Sequence, residues 1–474
     1  MTFIEPYPRS PLEWVKHLEG ELSNQSATAR RYDDYYEGRH QLSFAAAKFR
    51  EAFGAMFDGH WADNFSSLVV DSVAERLQVN GFRFTSDPEA DADALDIWQR
   101  NGLDADSDAA HTDSLVTGAS FVTVWGDSDG QPVIVPESAH EMVVSYAPGS
   151  RKVIRAALKK INDEWGDTHA TLWLPNRVYA STYTAGRQDW DEFTEAVNPL
   201  NRVPVVPLLN RPRLNGKAAS ELKRVIPLQD AVNKVMIDAL IASEMGAFPM
   251  KWAVGLPLEE DENGKAQPPP FEVALDKMIH SEDPETKFGQ FSVADLSNYV
   301  RLIEALVQHI ASVSRMPVHY MLQQSGQPPS GANIKSAEAG LVAKVRQRQR
   351  TYGEGWEDVM RLSFAVLDDP RQYAHQAETL WADAEYRSEA EHIDALLKLK
   401  ALGVPQRQLW QDAGYSPAQI ARFDAMTMQD LLDEQMRRDL GVDPSTDQPA
   451  SPAGDDADTL SESGQSRKAI AEAA

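Results

Sequence analysis

The sequence predicts an α+β protein, mainly helical, with its longest helices in the second half. Three patterns predict this. Apolar residues recur at helical spacing near the N-terminus. β-rich runs separated by turn residues fill the stretch from about 115 to 210. Long helical periodicities then run from 226 onward. The chain has 474 residues, 42% hydrophobic and 25% charged. That is ordinary globular composition, with enough apolar residues for a sizeable core, and the length corresponds to about three domains' worth of chain.

Trp14, His17, Leu18 and Leu22 mark a helix, and a second is expected from Ala27 into Tyr35-Tyr36. A third is expected from Asn64 to Val79, with Leu68, Val69, Val73 and Leu77 on one face. Asn64 would cap it and Asn80-Gly81 would stop it. Asp91 to Asn101 reads as a short helix carrying Leu95 and Trp98. Leu115 to Trp125 reads as a strand, Gly126–Gly130 as a turn, and Pro132 to Pro136 as the return strand. Further strands are expected at Met142–Ala147, Val153–Ile161, Ala170–Leu174 and Arg177–Tyr183. The prolines make Val203–Asn210 extended.

A helix then opens near Ile226, with Pro227 in its first turn, and runs to about Met245. The segment after it holds a strand at Met250–Val254, an acidic turn at Glu259–Gly264 and a strand at Phe271–Leu275. Ser292-Val293-Ala294-Asp295 resembles a capping box and starts the next helix. Leu296, Val300, Ile303, Val307 and Ile310 step by 4-3-4-3, a heptad seam that needs a partner helix. A Gln/Gly/Pro/Ser loop (318–332) precedes the longest helix, about Asn333 to Leu367. A final helical region spans Ser388 to Arg438, with turns at Gly403-Val404-Pro405 and Gly414–Pro417. Beyond Asp443 the composition is that of a disordered tail.

Charge excludes a simple nucleic-acid binder. There are 46 Lys+Arg against 72 Asp+Glu, a formal charge of −26. Most of such a surface repels DNA, because phosphate neutralisation dominates that affinity. No Cys is present, so disulfides, thiolate metal sites and Cys nucleophiles are excluded. No apolar run has membrane length; the best, Val232–Phe248, carries Lys234, Asp238 and Glu244. Met1–Leu12 lacks the apolar core of a signal peptide.

Catalytic patterns fail in turn. Asn215-Gly216-Lys217 lacks the upstream glycine of a phosphate-binding loop. Gly118-Ala119-Ser120 lacks the second glycine of a nucleophile elbow. His309 and His319 lie apart across a proline, a poor metal pair. Asp104–Asp108 begins like a calcium loop, but Ala109 and Leu115 stand where glycine and glutamate are needed, so an acidic helix start is expected. No catalytic residue, metal ligand or cofactor is therefore assigned. One basic run stands out: Lys344, Arg346, Arg348 and Arg350, with Lys335 upstream. A spacing of two on a helix splits these cations between two faces. Pairing between subunits is their expected use, with phosphate contact second. Trp98, Trp125, Trp173 and Trp356 fall on apolar faces and are expected in the core.

Several stretches carry a resemblance: Tyr35–His40 (YYEGRH), Val70–Leu77 (VDSVAERL), Ile97–Asn101, Val116–Val122, Val203–Pro207, Asn210-Arg211-Pro212 and Pro329-Ser330-Gly331. In this order, over residues 30 to 440, they resemble the portal proteins of tailed double-stranded DNA bacteriophages, in the family found in many siphophages. The resemblance implies the portal architecture of wing, stem, clip and crown, with long stem and spine helices. Residues 1–220 would be the wing, 221–247 and 293–316 the stem, 248–292 the clip and 317–332 the channel loop. Residues 333–370 would be the long wing helix, 371–440 the crown and 441–474 a disordered acidic tail.

Gln323, Gln324, Ser325, Gln327 and Ser330 would be the channel-loop residues that meet DNA. Implied partners are eleven further copies in a twelve-fold ring, the packaging terminase, capsid and scaffold proteins, head-tail connector proteins and DNA passing non-specifically; no membrane is implied. The location implied is the portal vertex of the virion, after synthesis in the host cytoplasm. The alternatives are another head or connector structural protein, or a phage nucleic-acid-processing enzyme. The latter would need a metal or nucleotide constellation.

Overall fold

The computed structural model describes residues 8, 10–40, 63–84, 90–184, 190–214, 218–247, 251–254, 285, 287–290, 295–322, 331–385, 389–415 and 417–439. The chain divides into one compact unit over residues 1–414 and another over 415–474.

Helix α1 (Pro11–Tyr36) is continuous. Ser10 caps it, its Oγ accepting the Glu13 N–H at 3.2 Å, with Pro11 in the first turn. The expected break near Ala27 is absent because small residues continue the buried stripe: after Trp14, Leu18 and Leu22 come Ser26 and Ala29. Helix α2 (Phe65–Ala74) is capped by Asn64, whose Oδ1 accepts the Ser66 N–H at 3.1 Å. It ends well before Val79. The chain turns at Glu75-Arg76 and enters strand β1 (Val79–Arg83), so Asn80-Gly81 lie in a strand. Helix α3 (Ala92–Arg100) starts on Asp91, which accepts the Ala94 N–H at 2.9 Å.

Helix α4 (Leu103–Thr117) takes Leu115–Thr117, which the sequence pattern assigns to a strand. Gly118 ends it at φ 106°, a left-handed conformation that favours glycine. A Cβ there would lie 3.2 Å from the Ser220 nitrogen. Strand β2 (Ala119–Gly126) lies between β3 (Pro132–Glu137) and β9 (Val205–Leu209), both antiparallel to it. A five-stranded antiparallel sheet follows in sequence order: β4 (Met142–Tyr146), β5 (Ile154–Asn162), β6 (Thr168–Trp173), β7 (Arg177–Tyr183) and β8 (Thr194–Val197). Its alternating side chains serve two cores. Val143, Leu158 and Leu172 meet Trp14, Leu18 and Leu22 of α1 on one face. Met142, Ala157 and Trp173 meet Phe121 and Val205 on the other.

Helix α5 (Ile226–Ala247) leads to strand β10 (Lys251–Val254), which pairs antiparallel with β11 (Lys287–Gln290). The strand expected at Phe271–Leu275 lies outside the described residues. Helix α6 (Ser297–Ser314) begins later than the expected Ser292 opening. Ser292–Ala294 lie outside the described residues, but Asp295 does accept the Ser297 N–H at 2.9 Å. Helix α7 (Gly331–Val366) is the spine of the first unit. Its Tyr352, Trp356, Val359, Met360 and Phe364 are fully buried in the main core, beside Phe82, Trp98, Leu103 and Leu115. Gly355 lets β9 cross: a Cβ there would lie 2.5 Å from Leu208 Cδ2. Trp356 Nε1 donates to His111 Nε2 at 2.8 Å, and burial pushes that imidazole down to about 3, so it stays a neutral acceptor. Trp98, Trp173 and Trp356 are buried and Trp125 is half-buried, as expected.

Strand β12 (Glu378–Trp381) pairs with β1. Helices α8 (Glu389–Ala401) and α9 (Gln406–Asp412) end the first unit, with turns where the sequence places them. The second unit contains α10 (Pro417–Asp439), whose Met426, Met428, Leu431, Leu432 and Met436 are all exposed. Tyr415 meets Phe423 edge-on, with centroids 5.0 Å apart. No described helix is long and apolar enough to cross a membrane.

Candidate functional site: the root of the helical hairpin

Helices α5 and α6 form a hairpin. Ile226, Val232 and Met236 of α5 share the main core with Ile303, Val307 and Ile310 of α6, and the strands β10 and β11 that lie between them in the chain pair antiparallel. The heptad seam is buried only at this root. Val307 and Ile310 have no solvent exposure, and Ile303 is half-buried. Leu296 and Val300 near the other end are exposed, Val300 by 54%. Leu296 also stands just outside the helix, at its N-cap.

One polar face of α5 is bolted to the N-terminal helices. Gln229 accepts the Phe65 N–H at 3.0 Å and donates to the Asp63 carbonyl. Asn233 accepts the Asp63 N–H at 3.1 Å and donates to His40 Nε2 at 2.9 Å. Tyr35 donates to Asp230 at 2.7 Å and stacks on His40, with ring centroids 4.1 Å apart. Tyr36 donates to Asp71 at 2.8 Å. Burial, then the Asp230 carboxylate, push the Tyr35 phenol up to about 12. Burial also pushes His40 down, which suits it to accept from Asn233. The YYEGRH stretch is therefore a joint between α1 and the hairpin.

The VDSVAERL stretch makes a second joint. Arg76 Nη2 donates to Tyr320 Oη at 2.7 Å and lies 3.6 Å from Glu338. Tyr320 in turn donates to Glu338 at 2.7 Å. Arg76 Nη1 donates to the Ala384 carbonyl at 3.0 Å. One guanidinium thus holds the chain after α6, the start of α7 and the chain after β12. The residues expected in a channel loop, Gln323, Gln324, Ser325, Gln327 and Ser330, lie outside the described residues.

The basic run divides between two helix faces, as its spacing requires, but the inward pair has a different use from the expected one. Lys344 and Arg348 are 4% and 3% exposed and turn onto Glu221 within the same chain. Lys344 Nζ lies 3.0 Å from Glu221 Oε2, and Arg348 donates to Oε1. Asn210 donates to the same carboxylate at 3.1 Å. Burial alone would raise the Glu221 carboxyl, but Lys344 and Arg348 hold it down, to about 2; burial lowers Lys344 against the pull of Glu221. These two cations are committed to folding. A charge removed from water needs a partner within its own core. Lys335, Arg346 and Arg350 remain on the exposed face, with Arg346 4.0 Å from Glu385.

Another cluster was illegible in sequence because its members are far apart. His140 bridges α1 to the turn before β4: Ser26 Oγ meets Nδ1 at 3.0 Å, and Asp33 Oδ2 meets Nε2 at 2.5 Å. It borders a groove of about 470 Å³ lined also by Arg30, Arg39, Glu141 and Lys160. The order Ser–His–Asp matches a nucleophilic triad, but Ser26 sits inside a helix, where neighbouring backbone N–H groups are committed to helical bonds. No oxyanion site results. Asp104 accepts from Trp98 Nε1 at 2.8 Å and from Gln99 at 2.9 Å in the first turn of α4, the acidic helix start the sequence suggests. Among the described residues no three acidic or histidine side chains gather as a metal site.

The family described as phage portal protein, SPP1 Gp6-like, matches residues 15–423. The chain is 29% identical over 376 residues to the portal protein of Mycobacterium phage D29, covering 75% of this chain and 76% of that one. It is 30% identical over 373 residues to the portal protein of Mycobacterium phage L5, covering 74% and 76%. A solved chain from the virion of a native gene transfer agent particle aligns at a TM-score of 0.45 and 13% identity, covering 74% of this chain and 89% of that one. The family match runs through the three- and five-stranded sheets, the two joints, the hairpin and α7, and the chain belongs to the SPP1 Gp6-like phage portal proteins, as a structural portal subunit.

Proposed function

We propose that twelve copies of this chain form a ring around a DNA channel at the capsid vertex, for genome packaging, head-tail joining and genome ejection. In this reading residues 1–220 and 333–370 are wing, 221–247 and 293–316 stem, 248–292 clip, 317–332 channel loop and 371–440 crown, with 441–474 a disordered acidic tail. The observation that carries it is the uncovered side of the helical hairpin. Leu302 and Val313, eleven residues apart and so on one side of α6, are 49% and 43% exposed, and Leu240 and Val300, beyond the buried root, are 38% and 54% exposed. Apolar side chains left exposed on a helical hairpin are stable in water when another copy covers them.

The ring is a structural device without turnover. Its charge of −26 per copy repels phosphate, so DNA slides instead of adhering. The exposed Lys335, Arg346 and Arg350 serve neighbouring copies first and phosphate second. Gln323, Gln324, Ser325, Gln327 and Ser330 touch the passing duplex through neutral hydrogen bonds, which are weak and quickly released. Terminase, then head-tail connector proteins, dock at the clip, and capsid and scaffold proteins surround the wing. The protein is made in the host cytoplasm and ends in the virion.

The test is negative-stain electron microscopy of the purified full chain with light scattering alongside. Rings of about a dozen copies with a central hole are expected. A strictly monomeric particle with metal- or nucleotide-dependent activity would overturn the reading. Deleting residues 323–327 should leave rings intact and impair packaging or retention of DNA.

A further inference from the structure

At the hairpin root, beside the start of α5 and the end of α6, lies a concentration of positive charge that is out of character for so acidic a chain. Glu221 is buried and already engaged by Lys344 and Arg348. Three further arginines border this group. Arg211 follows Asn210, which donates to Glu221 at 3.1 Å. Arg224 closes the short 3-10 turn (Leu222–Arg224) that begins next to Glu221. Arg315 caps α6 directly after Ser314, whose carbonyl accepts from Lys344 at 3.3 Å.

Arg211 is half-buried, and Arg224 and Arg315 are exposed. Among the described residues none of the three forms an ion pair, and the charges of Arg224, Arg348 and Arg315 act on Arg211 together with that of Glu221. Burial, together with the charges of Arg224, Arg348 and Arg315, pulls the Arg211 guanidinium down although Glu221 is near. Arg211 and Arg315 also hold left-handed backbone, φ 49° and 60°, which a non-glycine residue keeps only where its surroundings impose it. The cluster is thus built into the fold and left short of negative charge.

We propose that Arg211, Arg224 and Arg315 form a carboxylate-binding site that receives acidic side chains of a second copy of this chain. The inference rests on the ring reading above. Two observations select the occupant. Val313, two residues from Arg315, is 43% exposed, so apolar surface that another copy would cover adjoins the end of α6 that carries Arg315. A second copy also brings 72 acidic residues against 46 basic ones, so it meets this site with complementary charge. Duplex DNA, the competing anion, would have to approach through the acidic surface around it.

The experiment compares the full-length wild-type chain with R224E/R315E, both on exposed side chains, and with R224K/R315K. Mass photometry follows ring formation against protein concentration at about 0.1 M and about 1 M salt. Circular dichroism confirms that each variant is folded. The expected result is that R224E/R315E needs about tenfold more protein to assemble at low salt, that R224K/R315K stays near wild type, and that high salt narrows the difference. Rings from R224E/R315E at the wild-type concentration would overturn the site while leaving the ring reading intact. Wild-type rings from the variant with weaker retention of double-stranded DNA would overturn it in favour of phosphate. A wild-type chain that stays monomeric at every concentration removes the ring reading itself, and the site with it.

Discussion

The Lys344 ammonium lies 3.0 Å from the Glu221 carboxylate, with the two side chains only 5% and 4% exposed, and Arg348 takes the other oxygen of the same carboxylate. This triad ties the segment before α5 to the middle of α7. Its members were far apart in sequence, and two of them looked like surface cations.

Removing Glu221 should be the most damaging single change at this position. Glu221→Leu leaves two buried cations unpaired and should cost about 3–5 kcal/mol, whereas Lys344→Met leaves the Arg348 pair and should cost less. Replacing all three with apolar residues should recover much of the loss. Urea denaturation of the four proteins measures this, and a loss below about 1 kcal/mol for Glu221→Leu would contradict the assignment. Because the Glu221 carboxyl is held below its ordinary value, its stabilising effect is present above about 4.5 and is lost as pH falls toward about 2.

Glu357 should act with the opposite sign. It sits on α7 behind β12, accepts the Thr379 N–H at 3.3 Å, and is pushed up to about 7 by burial, with the nearby Glu354 and Glu378 adding to it. A carboxyl raised in the folded state favours folding while protonated, and that contribution is lost as pH rises from about 4.5 through about 7. Glu357→Gln should therefore raise the melting temperature at about pH 8 and leave it nearly unchanged at about pH 5. Equal shifts at both values would rule this out.

Arg76 should matter well beyond the turn it occupies. Arg76→Met leaves Glu338 and Tyr320 without their cation and frees the Ala384 carbonyl, a loss of about 3–5 kcal/mol. Hydrogen exchange should speed up at both Tyr320 and the first turns of α7. Acceleration confined to α2 would show that the joint is not transmitted.

His140→Ala should release α1 from the turn before β4, since it removes the contacts to both Ser26 and Asp33. The expected readout is faster amide exchange in the second half of α1, from about one broken hydrogen bond network worth about 1–3 kcal/mol. Ester hydrolysis that depended on Ser26 would instead restore the triad reading rejected above.

Local patterns were legible wherever a residue acts through its neighbours. Asn64 caps its helix as its position suggests, and α7 follows its apolar period almost to the residue. The run at 344–350 splits into two faces because helical geometry alone demands it. Boundaries went wrong where a distant partner decides them. Leu115–Thr117 have strand-like side chains but complete α4, since Gly118 supplies the turn. Asn80-Gly81 look like a helix stop but enter a strand, because Glu378–Trp381 pairs with it from far along the chain.

By itself the sequence determined the helical and β regions, the caps, the acidic surface and the order of elements that marks a portal family member. Only the tertiary structure decided which cations face inward, which tyrosines and asparagines lock the hairpin root, and where positive charge is left unmatched. The reason is that a buried charge or hydrogen-bonding group is satisfied by whatever the fold brings beside it, and spacing along the chain does not record that neighbour.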